Sequence, residues 1–465
     1  MKGVMIAGTA SGVGKTTVAL AIMAGLRSRG VVVQPFKCGP DFIDGGHHSA
    51  MCGRTSRNLD TWMLNGDANR RLFLRASAGA SFSIVEGVMG LYDGVTGSGE
   101  EGSSAEIAKL LGLSVVLVLE ASASARSLAA VARGFEVFDP ALRMAGFILN
   151  RVAGENHFRL LESAIRSSTA LPILGWLPVE DSIAIPERHL GLYTAAENAD
   201  WTLRFAAFAQ LAERYLDLDR LSRIESAISS IISSIDKIED EREGYEVSSA
   251  RVAVARDEAF CFYYEDNLDL LRELGAEIIT WSPLRDHELP LGVDALYFGG
   301  GYPELYARQL SENDRLLADL RRFAEAGKPI YAECGGMMYL AEQLDLLDGT
   351  SCAMVGILPL RIAMTERLVD FGYADLEFLE DCLLGEKGTV VRGHSFHCSR
   401  LAGDTLPHPA YRVHFSLSGK QVLEGYSEGN ILGSYIHVHF RSHPGLAQAF
   451  VRNAKAAQHL ARVAS

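Results

Sequence analysis

Residues 4–17 read VMIAGTASGVGKTT, and this run decides how the chain begins to fold. The apolar residues 4–7 read as a strand, the glycines behind them as a turn, and Gly-Lys-Thr-Thr at 14–17 as the opening of a helix. Around Gly12 and Gly14 the backbone can curl so that successive N–H groups converge on phosphate oxygens. Lys15 then reaches the β- and γ-phosphates, Thr16 brings a hydroxyl to magnesium, and Thr17 completes the set. The strict loop pattern has glycine at position 9; here that residue is Thr9, and Gly8 stands one place earlier. A glycine-rich turn without a ligand is the bland alternative, and it rarely carries Gly-Lys-Thr-Thr at a strand–helix junction.

The same alternation continues outward. Apolar runs at 31–36, 83–86, 115–119, 147–150 and 173–177 are separated by helical patterns, and runs at 252–255, 277–281, 295–298 and 329–333 repeat the style. Near-continuous apolar strands separated by helices predict parallel sheets covered on both faces. The expected fold class is α/β with two doubly wound domains. The first is a P-loop ATP-binding domain over 1–220 and the second covers 250–465. Between them, Leu221, Ile224, Ile228, Ile231, Ile235 and Ile238 form one apolar stripe at helical spacing. A helical linker over 221–249 follows from it, packed on its own protein or, alternatively, pairing as a coiled coil in a homodimer.

Composition narrows the function classes. With 465 residues, 48% hydrophobic and 22% charged, the chain reads as a globular protein of two domains. A formal charge of −14 argues against a nucleic-acid partner. The seven cysteines are scattered without paired spacing, which fits a reducing compartment. No apolar run approaches membrane-spanning length and no charged leader precedes the first strand, so a cytoplasmic enzyme with no membrane partner is expected.

Acids gather at the strand ends. Residues 35–49, PFKCGPDFIDGGHHS, place Asp41 and Asp44 just beyond a strand, where ligands bind in open parallel sheets. Residues 83–94, SIVEGVMGLYDG, add Glu86 and Asp93. Carboxylates facing a phosphate loop suit Mg²⁺, which needs few protein oxygens. Glu86 stands out because an acid ending an apolar strand lies near buried backbone. Asn150, closing GFILN, is read either as an adenine contact or as a helix cap.

The back half carries a different signal. Residues 328–336, KPIYAECGG, are a strand leading into a sharp turn with Cys334 at its apex, as in a nucleophile elbow. The N–H of Gly335 and those of Gly300 and Gly301, in LYFGGGYPE, are candidate oxyanion donors. In GSYIHVHF, His437 and His439 are two apart and so share a face of a strand; His437 is the expected base and His439 the residue that orients it. Metal binding by these two with His394 and His397 is the alternative.

These motifs resemble known families. The first loop lacks, at Ala10, the second lysine of the partitioning and nitrogenase-iron-protein ATPases, and is similar instead to the dethiobiotin-synthetase branch, which activates a carboxylate with ATP. The second half resembles the triad class of glutamine amidotransferases, with His439 where that class carries glutamate. Across the chain, GTASGVGKTT, PFKCGPDFIDGGHH, SRNLD, VEGVMGLYDG, ILNRV, IPERHLGL, ARDEAFCFYYEDNL, FGGGYPE, AECGGMMYL and GSYIHVHF resemble the cobyrinic acid a,c-diamide synthases of the cobalamin pathway.

The likeness implies two amidations, each using ATP and glutamine, of a corrinoid or related tetrapyrrole acid: cobyrinic acid, hydrogenobyrinic acid or nickel-sirohydrochlorin. It implies Thr16, Asp41 and Glu86 for Mg²⁺, and Lys37, Asp44, Asp93, Arg188 and His189 for the acceptor acid. Gly45 departs from the proline or threonine of many relatives. The rival from another class is an ATP-dependent regulatory switch with an inactive amidotransferase-like domain.

Overall fold

The computed structural model of the chain describes residues 2–183, 185, 187–188, 191–192, 194–197, 200–228, 249–403 and 406–463. It divides into two compact units, Met1–Glu239 and Asp240–Ser465.

In the first unit seven parallel strands lie edge to edge in the order Arg57–Leu59, Val33–Cys38, Phe82–Glu86, Gly3–Gly8, Ser114–Glu120, Met144–Val152 and Ile173–Pro178. Every residue of Gly3–Gly8, Val33–Cys38 and Phe82–Glu86 is buried, as a sheet covered on both faces requires. The helix Lys15–Ser28 covers one face through Val18, Leu20, Ile22 and Leu26, packed beside the helix Trp201–Tyr215. Parallel pairing brings all the strand ends that carry Gly8, Lys37, Glu86 and Asn150 to one edge.

The second unit has five parallel strands, Ala276–Trp281, Ala250–Ala255, Ala295–Phe298, Ile330–Glu333 and Ile431–Ser434. The sheet then continues antiparallel through Gln421–Glu428, Pro409–Phe415 and the long strand Leu358–Phe378. This extension adds strands between the elbow and the histidines that the sequence reading did not contain. Val390–Leu401 pairs with Leu358–Phe378 and, through Gly393 and His394, with the two-residue strand His437–Val438. A chain segment far from Cys334 in sequence is thereby folded back beside it.

The expected linker helix is not continuous where it is described. The helix Leu218–Ser222 stops at its cap, Arg223, and residues 224–227 are not helical. Leu221, Ile224 and Ile228 nevertheless bury their side chains in the cores of the first unit. The Ala227 N–H donates to the Gly112 carbonyl at 2.7 Å, a pairing that a helix would forbid. Ile231, Ile235 and Ile238 lie outside the described residues. Among the described residues, no helix is long and apolar enough to cross a membrane.

Candidate active sites

Gly14 caps the helix Lys15–Ser28 at φ 90°, with no side-chain oxygen bonded to the first N–H groups. A helix start left this way is suited to an anion. Gly12 is also left-handed, at φ 78°, and Thr16 and Thr17 lie in the helix's first turn. The Lys15 ammonium donates to the carbonyls of Ala10 and Met89 at 3.0 and 2.6 Å. Burial, aided by the nearby charge of Lys37, lowers its pKa to about 8.

Beneath the loop lies a buried ionic cluster. Lys37 Nζ donates to Asp44 Oδ2 at 2.6 Å and to Glu86 Oε1 at 2.8 Å. Thr16 Oγ1 donates to the same two oxygens, at 3.3 and 2.7 Å, and His48 Nε2 lies 2.6 Å from Glu86 Oε2. Burial works against charge on Asp44 and Glu86, but Lys37 outweighs it and holds both below the usual carboxylate range. Burial likewise opposes the Lys37 charge, and Asp44 and Glu86 lift its pKa well above the ordinary lysine value. Removing one partner would leave an uncompensated buried charge, costing about 3–5 kcal/mol.

Three expectations change here. Asp41 does not join Thr16: its Oδ1 caps the helix Phe42–Cys52 by accepting from the N–H groups of Ile43 and Asp44 at 2.9 and 3.0 Å. Asp44, one helical turn on, is the carboxylate turned toward Thr16. Asn150 is not a helix cap, since Gly154 caps the following helix. Its Nδ2 donates to the Val13 carbonyl at 2.9 Å, and a Cβ on Gly14 would stand 1.9 Å from that nitrogen, so Asn150 props the loop from below. Asp93 is exposed and accepts the Gly90 N–H at 2.8 Å, with its charge acting on Lys15. Arg188 sits in a short hairpin, Glu187–Arg188 against Gly191–Leu192; its side chain, and all of His189, lie outside the described residues.

Thr16, Asp44 and Glu86 present oxygen only, gathered around the Lys37 ammonium that holds the same two carboxylate oxygens. That donor set fits Mg²⁺, a hard cation content with one or two carboxylates.

In the second unit Cys334 links the strand Ile330–Glu333 to the helix Gly335–Leu340 with φ 47° and ψ −106°. A left-handed φ on a residue with a Cβ is strained by about 1–3 kcal/mol. Cys334 is buried, 5% exposed, and its backbone is gripped: its N–H donates to the Ser434 carbonyl at 2.7 Å, and its own carbonyl accepts from the Met338 N–H at 3.0 Å. A Cβ on Gly336 would meet Phe298 Cβ at 2.6 Å, so the elbow closes only over a glycine.

His437 adjoins the Cys334 thiol. Burial alone would lower its pKa, but the thiol and Glu333 raise it to about 9. His439 does not orient it. The strand ends at Val438, so the alternation that should put both rings on one face is broken. His439 instead packs on Tyr264, ring centroids 4.7 Å apart, and accepts the Arg441 N–H at 3.3 Å. The acid that faces His437 is Glu333, whose Oε2 lies 3.6 Å from Nδ1. Sequence reading missed Glu333, although an acid closing an apolar strand is the signal that singled out Glu86.

The glycine strip divides in two. Gly300 donates its N–H to the Phe262 carbonyl at 3.1 Å and is therefore no oxyanion donor; a Cβ there would lie 2.5 Å from His437 Cε1. Gly301 and Gly335 do adjoin: a Cβ on Gly335 would stand 3.0 Å from the Gly301 nitrogen. The imidazoles do not form a metal site. His394 meets the Tyr264 hydroxyl at 3.0 Å and His397 the Ser399 carbonyl at 2.9 Å; among the described residues no three or more His, Cys, Asp and Glu side chains are grouped to hold an ion.

Comparison with known proteins agrees with this division. Residues 4–192 match the CobQ/CobB/MinD/ParA nucleotide binding domain, and residues 251–445 the CobB/CobQ-like glutamine amidotransferase domain. The chain is 42% identical to the cobyrinate a,c-diamide synthase of Listeria innocua, covering 96% of this chain and 98% of that one. It is 41% identical to the Salmonella typhimurium enzyme of the same name, covering 97% and 98%. It is also 41% identical to the one from Archaeoglobus fulgidus, covering 97% of each. With a phosphate loop in one unit, a cysteine elbow in the other and relatives matched over nearly their whole length, the chain belongs to the cobyrinate a,c-diamide synthase family.

Proposed function

We propose that this chain converts the a and c acetate carboxylates of cobyrinic acid to amides, using one ATP and one glutamine for each. The observation that carries the reading is the strained Cys334 turn with His437 on its thiol, in one chain with the Lys15 loop. The Cys334 sulfur attacks the side-chain carbonyl of glutamine. His437 takes the thiol proton and delivers it to the leaving nitrogen, so ammonia departs and a glutamyl thioester remains. Water then cleaves the thioester, releasing glutamate and the thiol. The N–H groups of Gly301 and Gly335 stabilise the oxyanion in both steps.

In the first unit an acetate oxygen of the substrate attacks the γ-phosphorus of ATP, and ADP leaves. Ammonia displaces phosphate from the acyl phosphate to give the amide. Lys15 meets the β- and γ-phosphates, giving up its two carbonyl partners for a charge-assisted contact. Lys37 neutralises Asp44 and Glu86. Magnesium, held by Thr16, Asp44 and Glu86, would offset charge on the phosphates. Arg188, His189 and Asp93 are assigned, from the family likeness, to binding the acidic arms of the tetrapyrrole.

The test is direct. Incubate the chain with ATP, glutamine and each candidate acid in turn, then measure ADP, glutamate and the product mass. Cobyrinic acid should gain two amides with matched ADP and glutamate. Turnover confined to hydrogenobyrinic acid or nickel-sirohydrochlorin would move the substrate, and no amide from any of the three would sink the proposal.

A further inference from the structure

We propose that Glu333, the residue immediately before the nucleophile, is the carboxylate that positions His437. The inference rests on the reading of Cys334 and His437 as the glutamine-hydrolysing pair. Glu333 closes the strand Ile330–Glu333 and is 1% exposed. A carboxylate so placed needs donors on both oxygens, because desolvating it is costly. It has them: the Tyr297 hydroxyl donates to Oε2 at 3.1 Å, and the Tyr331 hydroxyl to Oε1 at 2.7 Å.

The third donor gives the arrangement its meaning. Oε1 accepts the backbone N–H of Val438 at 3.1 Å, while Oε2 lies 3.6 Å from His437 Nδ1. One side chain thus holds the peptide that follows the histidine and faces its ring. A carboxylate at Nδ1 keeps the proton on that nitrogen and leaves Nε2 to receive the thiol proton. The 3.6 Å separation is longer than a hydrogen bond, and such contacts tighten when substrate binds.

Among the described residues, Glu333 is the acid found against His437, and the histidine's other ring neighbours are of a different kind. His394 stacks on His437 with centroids 5.0 Å apart and the planes at 21°. Burial holds the His394 pKa well below the ordinary imidazole value, and burial likewise lowers that of His397 to about 4, so neither supplies a charge there near neutral pH. Cys334 occupies the remaining side. Nucleophile and positioning acid are consecutive residues: Glu333 ends the strand and Cys334 makes the turn after it.

The experiment uses the full chain with ATP and the tetrapyrrole acid, supplied with either glutamine or ammonium. Glu333→Gln should lower kcat with glutamine by at least about 100-fold, with the glutamine KM close to the parent's and the ammonium reaction within about twofold. The pH midpoint that His437 sets in the glutamine reaction should move downward, since Glu333 is one of the two groups that raise that imidazole's pKa. A Gln variant that uses glutamine like the parent, or one whose midpoint stays put, overturns the proposal. Should that variant also lose the ammonium reaction, proton NMR decides. A downfield Nδ1 proton signal should persist in His439→Gln and vanish in His437→Gln; its loss in His439→Gln overturns the assignment to Glu333. Glutamine use surviving Cys334→Ala would be a separate failure, of the nucleophile itself.

Discussion

The loop at Lys15 and the elbow at Cys334 are built alike: a buried parallel strand, a turn at its carboxyl end, then a helix. They differ in where the turn's conformational cost falls. The first spreads its reversal over residues 9–14 and gives the left-handed positions to Gly12 and Gly14, where a positive φ carries no Cβ penalty. The second turns on one residue, Cys334, which bears the strain itself. A relaxed glycine turn presents backbone N–H groups and suits a phosphate; a strained side-chain turn presents one atom and suits a nucleophile. Their surroundings differ accordingly. Lys15 stands above a cluster of buried opposite charges, Lys37 with Asp44 and Glu86, whereas Cys334 has an imidazole beside it, faced by one carboxylate that accepts from two tyrosine hydroxyls.

If the two turns serve separate reactions, substitutions should separate them. Cys334→Ala should cut glutamine-dependent amidation by about 1,000-fold or more while ammonium still supports the product. Loss of both activities would mean the elbow is not a distinct site. Lys15→Ala should depress both amidation routes together by about 100-fold or more, because the phosphoryl step is common to them; a variant that kept the ammonium rate would remove Lys15 from the nucleotide. Gly300→Ala introduces a Cβ 2.5 Å from His437 Cε1 and should slow glutamine hydrolysis by about 10- to 100-fold, sparing ammonium. Full glutamine turnover there would show that His437 tolerates displacement.

Two smaller effects sharpen the contrast. Asn150→Ala deletes the bond to the Val13 carbonyl and should raise the KM for ATP severalfold and destabilise the chain by about 1 kcal/mol, read by kinetics and denaturation. An unaltered KM would mean that the loop stands without its prop. The elbow, in turn, should show a pH signature. Its His437 pKa is raised to about 9 from an ordinary 6.5, so its stabilising contribution is complete below about 6.5 and is lost as pH rises through 9. Thermal melts of parent and His437→Gln should therefore converge across that window. A gap that widened with pH would contradict the sign.

The two turns were not equally legible. At the first, local order carried the information: Gly12, Gly14, Lys15 and Thr16 are contiguous, and Lys37 and Glu86 end strands whose apolar runs are plain. Asp41 and Asp44 were both visible, but which one faces Thr16 depends on where the helix begins, since the residue outside it becomes the cap. At the second turn, Cys334 and its glycines were readable and the partners of His437 were not. Treating 433–440 as one strand put His439 beside His437; the strand stops at Val438, and the chain turns into a short 3-10 helix at Phe440. Gly300 looked like an oxyanion donor because nothing in a row of three glycines says which N–H is already bonded to Phe262.

Residue order alone therefore determined the two α/β halves, the phosphate loop and the reactive cysteine, because each is encoded by neighbours within a single strand–turn–helix unit. Tertiary structure decided that Glu333 meets His437, that Asn150 supports the loop and that Gly300 makes room rather than binds. These contacts join residues separated by as many as 137 positions, as in the bond from Asn150 to Val13. Pairing at that range is settled by how strands align and where they stop, and neither is written in the residues that meet.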